Sequence, residues 1–259
     1  MRKYLSFFKN SFHVGLQYRA STVSAVLTQL PWGIMQCVAY KVLLESNAYA
    51  SPMELSEIVV FIWLEEAFLA LFNTWASDNE IFSMITDGSI SYEMCRPVSI
   101  YNMWYFRTAG ARLSSAALRF FPILLFAVCI PEPYRLMPPH GIGAFVVFLL
   151  TMFLGLGVTV AFCMLVYISA FFTISPQGMR MIMTGAVDLL SGATIPLPML
   201  PQPIRGIFEL LPFGSMQNVP FRVYSGSLVG TELLFAVCLQ VFWLVFLVVV
   251  GKLVCDRAQ

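Results

Sequence analysis

The chain has 259 residues, 59% of them hydrophobic and 11% charged, with a net charge of +1 and a mean hydropathy of +0.78. Soluble domains carry roughly a quarter charged residues, so a water-soluble enzyme or binding module is excluded and a polytopic membrane protein is indicated. The balanced charge and the lack of a long basic run also argue against a nucleic-acid partner.

A spanning helix needs about 20 mostly apolar residues. The sequence offers candidates at 21–44, 55–76, 105–130, 142–173, 179–199 and 228–254, which makes residues 1–259 a single all-α transmembrane domain of six helices. Ahead of the first, residues 2–19 put Leu5, Phe8, Phe12 and Leu16 on one helical face and Arg2, Lys9, His13 and Gln17 away from it. That pattern predicts an amphipathic helix in contact with anionic lipid headgroups; the alternative is a basic flank that only fixes topology.

The first span contains Pro31 and Gly33, and the loop after it, 45–52, has no Lys or Arg. Glu65 and Glu66 lie well inside the second span, where carboxylates are costly and face protein, water or a cation. Arg112 of the third span comes to about the same level and is the leading partner; Arg119 lies deeper, and Asp188 of the fifth span falls between. This intramembrane polar set has two readings: an ion pair that fixes helix packing, or a substrate or proton pathway.

Between the second and third spans, Ser77 to Glu80 fits a capping box. Ile81, Phe82, Met84 and Ile85 follow at helical spacing, and Gly88 supplies a C-terminal cap. A short cytoplasmic helix over 77–88 is expected, with Arg96-Pro97 turning the chain into the third span. Residues 106–119 are rich in small and polar side chains suited to close packing within a bundle. The outer loop carries Pro131, Pro133, Pro138, Pro139 and a solvated His140. The fourth run is longer than one crossing needs and contains Gly155 and Gly157.

The fifth span breaks at Ser191-Gly192, and Pro196, Pro198, Pro201 and Pro203 forbid a regular helix beyond it. Ile204, Ile207, Phe208 and Leu211 then share one face, with Arg205 and Glu209 opposite, as expected of a helix in the membrane surface. Breaks at Pro212-Phe213-Gly214 and Pro220 precede the last span, so 200–220 reads as an external interfacial element.

Arg2, Lys3, Lys9, Arg19, Arg96, Arg107, Arg180, Lys252 and Arg257 fall on one set of segments, against Arg135, Arg205 and Arg222 on the other. The first set is expected in the cytoplasm, with both termini and the 77–104 and 174–180 loops, in a multi-pass protein of the plasma (inner) membrane. Arg2-Lys3 is followed by a stretch interrupted at Lys9, so no secretory signal is expected. The six cysteines are scattered and contain no C-x-x-C pair.

The Ser191-Gly-x-x-Ile195-Pro-Leu turn, the Leu211-Pro-Phe break and the Pro220-x-x-x-x-Ser-Gly tail resemble the last hairpin of type-2 ABC exporter permeases. The stretch Asp87 to Val98 is similar to the G-x-I-x-x-x-x-x-R-P segment common in one branch of that family. The resemblance implies an elbow helix at 2–19 and a coupling helix at 77–88 that docks on a cytoplasmic ATPase subunit, with Asp78, Glu80, Ile81, Phe82, Ile85 and Arg96 as coupling residues. It also implies a second permease, identical or paralogous, and an outer gate at Gly192, Pro196, Pro198, Pro201, Pro212 and Phe213. The chain has no G-x-x-x-x-G-K-[ST] loop, so ATP and Mg would be held by the partner ATPase and no cofactor by this chain. H-E-x-x-H, G-x-S-x-G and G-x-G-x-x-G are absent too, and a metal site, catalytic residues or enzymatic activity of its own are not expected. The implied activity is export of an amphipathic or hydrophobic cargo such as a lipid, peptide, toxin or drug. Two other classes stay open. An ion-coupled secondary carrier would use Glu65, Glu66 and Asp188 as proton sites, and an intramembrane enzyme would need a nucleophile and base at matching depth.

Overall fold

The computed structural model describes residues 2–46, 52–75, 78–139, 141–173 and 176–258. Within them the chain is helical and forms no strand. The helices are α1 (Arg2–Gly15), α2 (Arg19–Glu45), α3 (Leu55–Phe72), α4 (Asn79–Thr86), α5 (Ile90–Met94), α6 (Ile100–Cys129), α7 (Ile142–Ser169), α8 (Pro176–Leu190), α9 (Ile204–Leu210), α10 (Asn218–Ser225) and α11 (Gly230–Ala258), with a 3-10 turn at Leu197–Met199. Ser77 of the expected capping box, His140 and parts of the 45–52 and 174–180 loops lie outside the described residues.

Three helices are long and apolar enough to cross a membrane: α6, α7 and α11, with mean hydropathies of 1.6, 2.5 and 2.9. They point to a membrane protein. The other three expected spans are helical but differ from simple spans for identifiable reasons. The apolar content of α2 is diluted by Gln29 and Gln36, and α3 carries Glu57, Glu65 and Glu66 in 18 residues. Helix α8 has only 15 residues, because Ser191 and Gly192 end it with Gly192 at φ +85°, a backbone conformation that suits glycine. Helix α3 stops at Phe72 rather than near 76, where Asn73 turns extended (ψ 121°) and its amide closes on the Leu69 carbonyl.

Helix α7 forms the centre, with Val158, Val160, Ala161 and Met164 fully enclosed. It packs against α6, α10 and α11, while α3 lies against α2 and α6. Helix α6 outruns α3 at its N-terminal end, and smaller elements gather round that overhang. Helix α1 follows the first half of α6 lengthwise. Tyr4 Oη accepts the Ser99 amide at 3.1 Å, and the Phe8 backbone sits so close to Gly110 that a Cβ there would collide with it. That approach rotates the buried face of α1 toward Phe7, Phe8, Ser11 and Phe12 and leaves Leu5 49% exposed. At the same end Gly251 of α11 lies against the Tyr101 ring. The first and last helices therefore start and finish at one end of the bundle.

The 197–226 segment departs from the expectation of a surface-lying element. Gly155 is some 13 residues into α7, about 20 Å along its axis, and a side chain there would strike the Met216 carbonyl. Phe213 meets the Phe162 ring edge-on at 5.2 Å, deeper still. Gln240 of α11 donates to the carbonyls of Thr151 (3.2 Å) and Ser215 (2.9 Å). Helix α9 thus descends, the chain turns in mid-bundle, and α10 climbs back, where Tyr224 donates to the Met137 carbonyl of the far-end loop at 3.2 Å. It is a re-entrant hairpin. Phe221 of α10 stacks edge-on against Phe61 and Phe72 of α3, at 5.2 and 5.9 Å.

Candidate functional site

The polar residues expected inside the bundle separate into two sites. Glu65 of α3 lines a cavity of roughly 600 Å³ between α2, α3, α8 and the tip of the re-entrant hairpin. Asp188 enters the same cavity from α8, and Gln36 and Tyr40 from α2. Glu65 is 8% exposed. Asp188 accepts the Trp75 indole N–H at 2.5 Å, and Tyr40 donates to the Thr194 carbonyl at 3.4 Å. Gln217, at the hairpin tip, donates to the Ser191 hydroxyl at 3.4 Å. Trp32 and Trp75, 54% and 62% exposed, flank the mouth. Glu66, one residue on, faces α2 instead: its Cγ lies beside Gly33, and its backbone carbonyl accepts from Gln29 at 3.2 Å.

Arg112 is elsewhere. Its guanidinium, 4% exposed, donates to the carbonyls of Leu71 (3.0 Å) and Asn73 (2.6 Å) and reaches Cys163 Sγ at 3.3 Å. The expected pairing of Arg112 with Glu65 is therefore not made. A helix that ends inside the bundle leaves carbonyls without intrahelical partners, and the fixed fork of a guanidinium suits two of them. Arg119 lines a smaller cavity of about 210 Å³ with Arg112 and Tyr167. Among the described residues no cation comes within ion-pair distance of Glu65, Glu66 or Asp188.

The second site is the α4 end. Asp78 caps α4, accepting the Glu80 amide at 3.0 Å. Gly88 then reverses the chain at φ +78°, and the Ser89 hydroxyl and amide hold the Asp87 carboxyl below the usual carboxylate range. Ile81 and Phe82, expected on a docking face, are turned into the protein, at 0% and 9% exposure, and Ile85 is half-buried. Phe82 packs on the Tyr167 ring of α7 at 5.1 Å, while Tyr167 Oη accepts the Asp78 amide at 2.7 Å. Arg107 of α6 is paired with Asp78 at 2.9 Å and with Glu80. Arg180 of α8 donates to Asn79 Oδ1 at 2.7 Å and to the Trp75 carbonyl at 2.5 Å, and lies over the Phe82 ring at 5.7 Å. So α4 is fastened to α6, α7 and α8 at once. Its outward face is polar: Asn79, Glu80, Ser83, Thr86 and Asp87. Tyr92, 80% exposed, Met94 and Arg96 continue that surface.

Of the expected outer-gate residues, Gly192, Pro196, Pro198 and Pro212 are buried, Phe213 is half-buried at the deep turn, and Pro201 is exposed. The hairpin is clasped by Glu209, whose Oε1 takes Arg205 at 2.9 Å and Arg222 at 2.8 Å. Sequence reasoning missed Arg222, Gln217 and Gln240 as parts of this element. Two Gln and an Arg buried beside apolar runs were the available signal. No family model matches the chain, and no curated protein matches it.

Proposed function

We propose that this chain is the membrane permease subunit of an ATP-driven exporter of the type-2 ABC class. In this reading α2, α3, α6, α7, α8 and α11 are six spans, α1 is the elbow helix, and both termini face the cytoplasm of a cell bounded by its plasma membrane. Helix α4 is the coupling helix, receiving the stroke of a cytoplasmic ATPase subunit that holds ATP and Mg. A second permease, identical or paralogous, completes the pathway, and the cargo is amphipathic or hydrophobic.

One observation carries the reading. Helix α4 is built as a lever: Phe82 packs on α7, Asp78 and Glu80 pair with Arg107 of α6, and Asn79 is held by Arg180 of α8, while Ser83, Thr86 and Asp87 stay exposed. The Arg180 link runs directly into α8, and α8 carries Asp188 at the cavity. A push on α4 would therefore move a wall of the cavity as a rigid body. Because Ile81 and Phe82 anchor inward and Asn79 is held by Arg180, the contact with the ATPase falls to Ser83 and Thr86 and to Tyr92 and Met94. The experiment is mild-detergent purification of the tagged chain from its native membrane, with and without Tyr92→Ala and Thr86→Arg. Co-purification of a nucleotide-hydrolysing subunit that these changes weaken supports the reading; a chain that comes down with no such subunit refutes it. The carboxylates of the cavity, without a cation near them, favour a second reading as an ion-coupled carrier. That reading requires transport that collapses with uncouplers and needs no ATPase.

A further inference from the structure

The cavity between α2, α3 and α8 holds two carboxylates and no cation of its own. Glu65 is more than nine-tenths buried, lines the cavity and has no hydrogen-bond or ion-pair partner among the described residues. Asp188 is neutralised by nothing stronger than the neutral Trp75 indole N–H. Among the described residues no Lys, Arg or His lines the space. An uncompensated carboxylate in a low-dielectric bundle is costly, and two facing one void make that cost larger. Arg112 is committed to the end of α3, and Arg180 to Asn79 and the Trp75 carbonyl. The void is also large enough to be filled by more than water: roughly 600 Å³, against ~300–1,000 Å³ for pockets that hold drug-sized molecules.

The aromatic lining completes the chemistry. Trp32, Tyr40 and Trp75 present ring surface beside the acids, and aromatic faces attract organic cations. Leu69, Phe72 and Val187 add hydrocarbon to a lining that also includes Gln36, Asn73 and Gln217. Trp32 and Trp75 line the cavity and are also exposed, so a ligand from outside the bundle has a route to it past their rings. We infer that this cavity binds a lipophilic monovalent cation, its charge held between Glu65 and Asp188 and its apolar body against Trp32, Tyr40 and Trp75. Resting on the permease reading, this makes amphipathic organic cations the cargo class; as a binding site it stands without that reading.

The test uses an isosteric pair of opposite charge, tetraphenylphosphonium and tetraphenylborate, with the full-length chain and whatever co-purifies with it in nanodiscs. Saturable binding of the phosphonium is expected, with quenching of Trp fluorescence that Trp32→Phe and Trp75→Phe reduce, and no saturable binding of the borate. Glu65→Gln and Asp188→Asn should each weaken the phosphonium roughly tenfold to a hundredfold, the range of one charge-assisted contact. Glu132→Gln, in the far-end loop, serves as the charge control and should change nothing. Because Glu65→Gln keeps the shape of a buried carboxyl that makes no hydrogen bond among the described residues, it should leave thermal stability unchanged or higher, which separates lost binding from lost folding. Equal binding of the two ions, or phosphonium binding indifferent to both carboxylates, overturns the proposal. So does a Glu65→Gln chain that binds normally yet loses uncoupler-sensitive transport, since the acids would then carry protons. An ATPase that co-purifies while the phosphonium fails to bind defeats the proposal and leaves the exporter reading intact. Specific phosphonium binding without any ATPase upholds the site and defeats the exporter reading.

Discussion

Replacing Arg112 by Met would remove the group that closes the lower end of α3. Two donations from a buried cation, at 3.0 and 2.6 Å, are lost; hydrogen bonds to charged groups contribute about 1.5–3 kcal/mol each. The loss of about 3–6 kcal/mol is partly offset because the guanidinium, with its Nε unpartnered, no longer has to be desolvated. A net destabilisation of about 2–4 kcal/mol remains. At about 2–4 °C per kcal/mol for a chain of this size, thermal unfolding in detergent should fall by roughly 5–15 °C. Arg112→Lys should recover part of the loss, since Nη1 alone holds both carbonyls and a single ammonium can replace it, while the Nη2 contact with Cys163 is given up. The decisive readout is a double-mutant cycle with Glu65→Gln. The two sites share no partner, so their effects should add to within about 0.5 kcal/mol. A coupling above about 1 kcal/mol would refute the separation of Arg112 from the carboxylate cavity and restore an ion pair between them.

Gly155→Ala forces a methyl into the Met216 carbonyl and against Phe72, so it should cost about 1–3 kcal/mol; Gly143→Ala in the same helix, with open space around it, should shift unfolding by under about 0.5 kcal/mol. In a cysteine-free background, Ile204→Cys, 44% exposed, should react with a bulky maleimide at least about tenfold faster than Ser215→Cys, 1% exposed at the hairpin tip; equal rates would mean that the hairpin lies on the surface. Arg180→Gln should cost about 1–2 kcal/mol through its bonds to Asn79 and Trp75, and should lower cargo-stimulated ATP hydrolysis in the complex more than basal hydrolysis.

Much of this architecture is legible in the sequence, because apolar runs and helix breakers act locally. The interruption at Ser191-Gly192, the α9 amphipathicity and the Gly88 reversal all follow from residues within one turn of the event. What escaped depends on residues distant in sequence. The prolines after Gly192 announce a break but not its direction; the hairpin dives inward because Gly155 leaves room for the Met216 backbone and Gln240 satisfies the Ser215 carbonyl. The level of Arg112 pointed to Glu65 only as long as α3 continued to about residue 76. Ending at Phe72, α3 exposes carbonyls that compete for the guanidinium and win by proximity. Ile81 and Phe82 gave α4 its amphipathic pattern correctly, yet the pattern alone does not say which neighbour covers the apolar face. Tyr167 and Arg180 decide that.

The central claim is that the free face of α4 meets a nucleotide-hydrolysing partner. A photo-reactive amino acid placed at Thr86, exposed, and in parallel at Phe82, turned inward, measures this in intact native membranes. The account predicts an ultraviolet-dependent adduct between the Thr86-substituted chain and a soluble protein that binds ATP, with no such adduct from Phe82. Adducts from Thr86 that contain no nucleotide-binding protein, or no adduct from Thr86 at all, would contradict it.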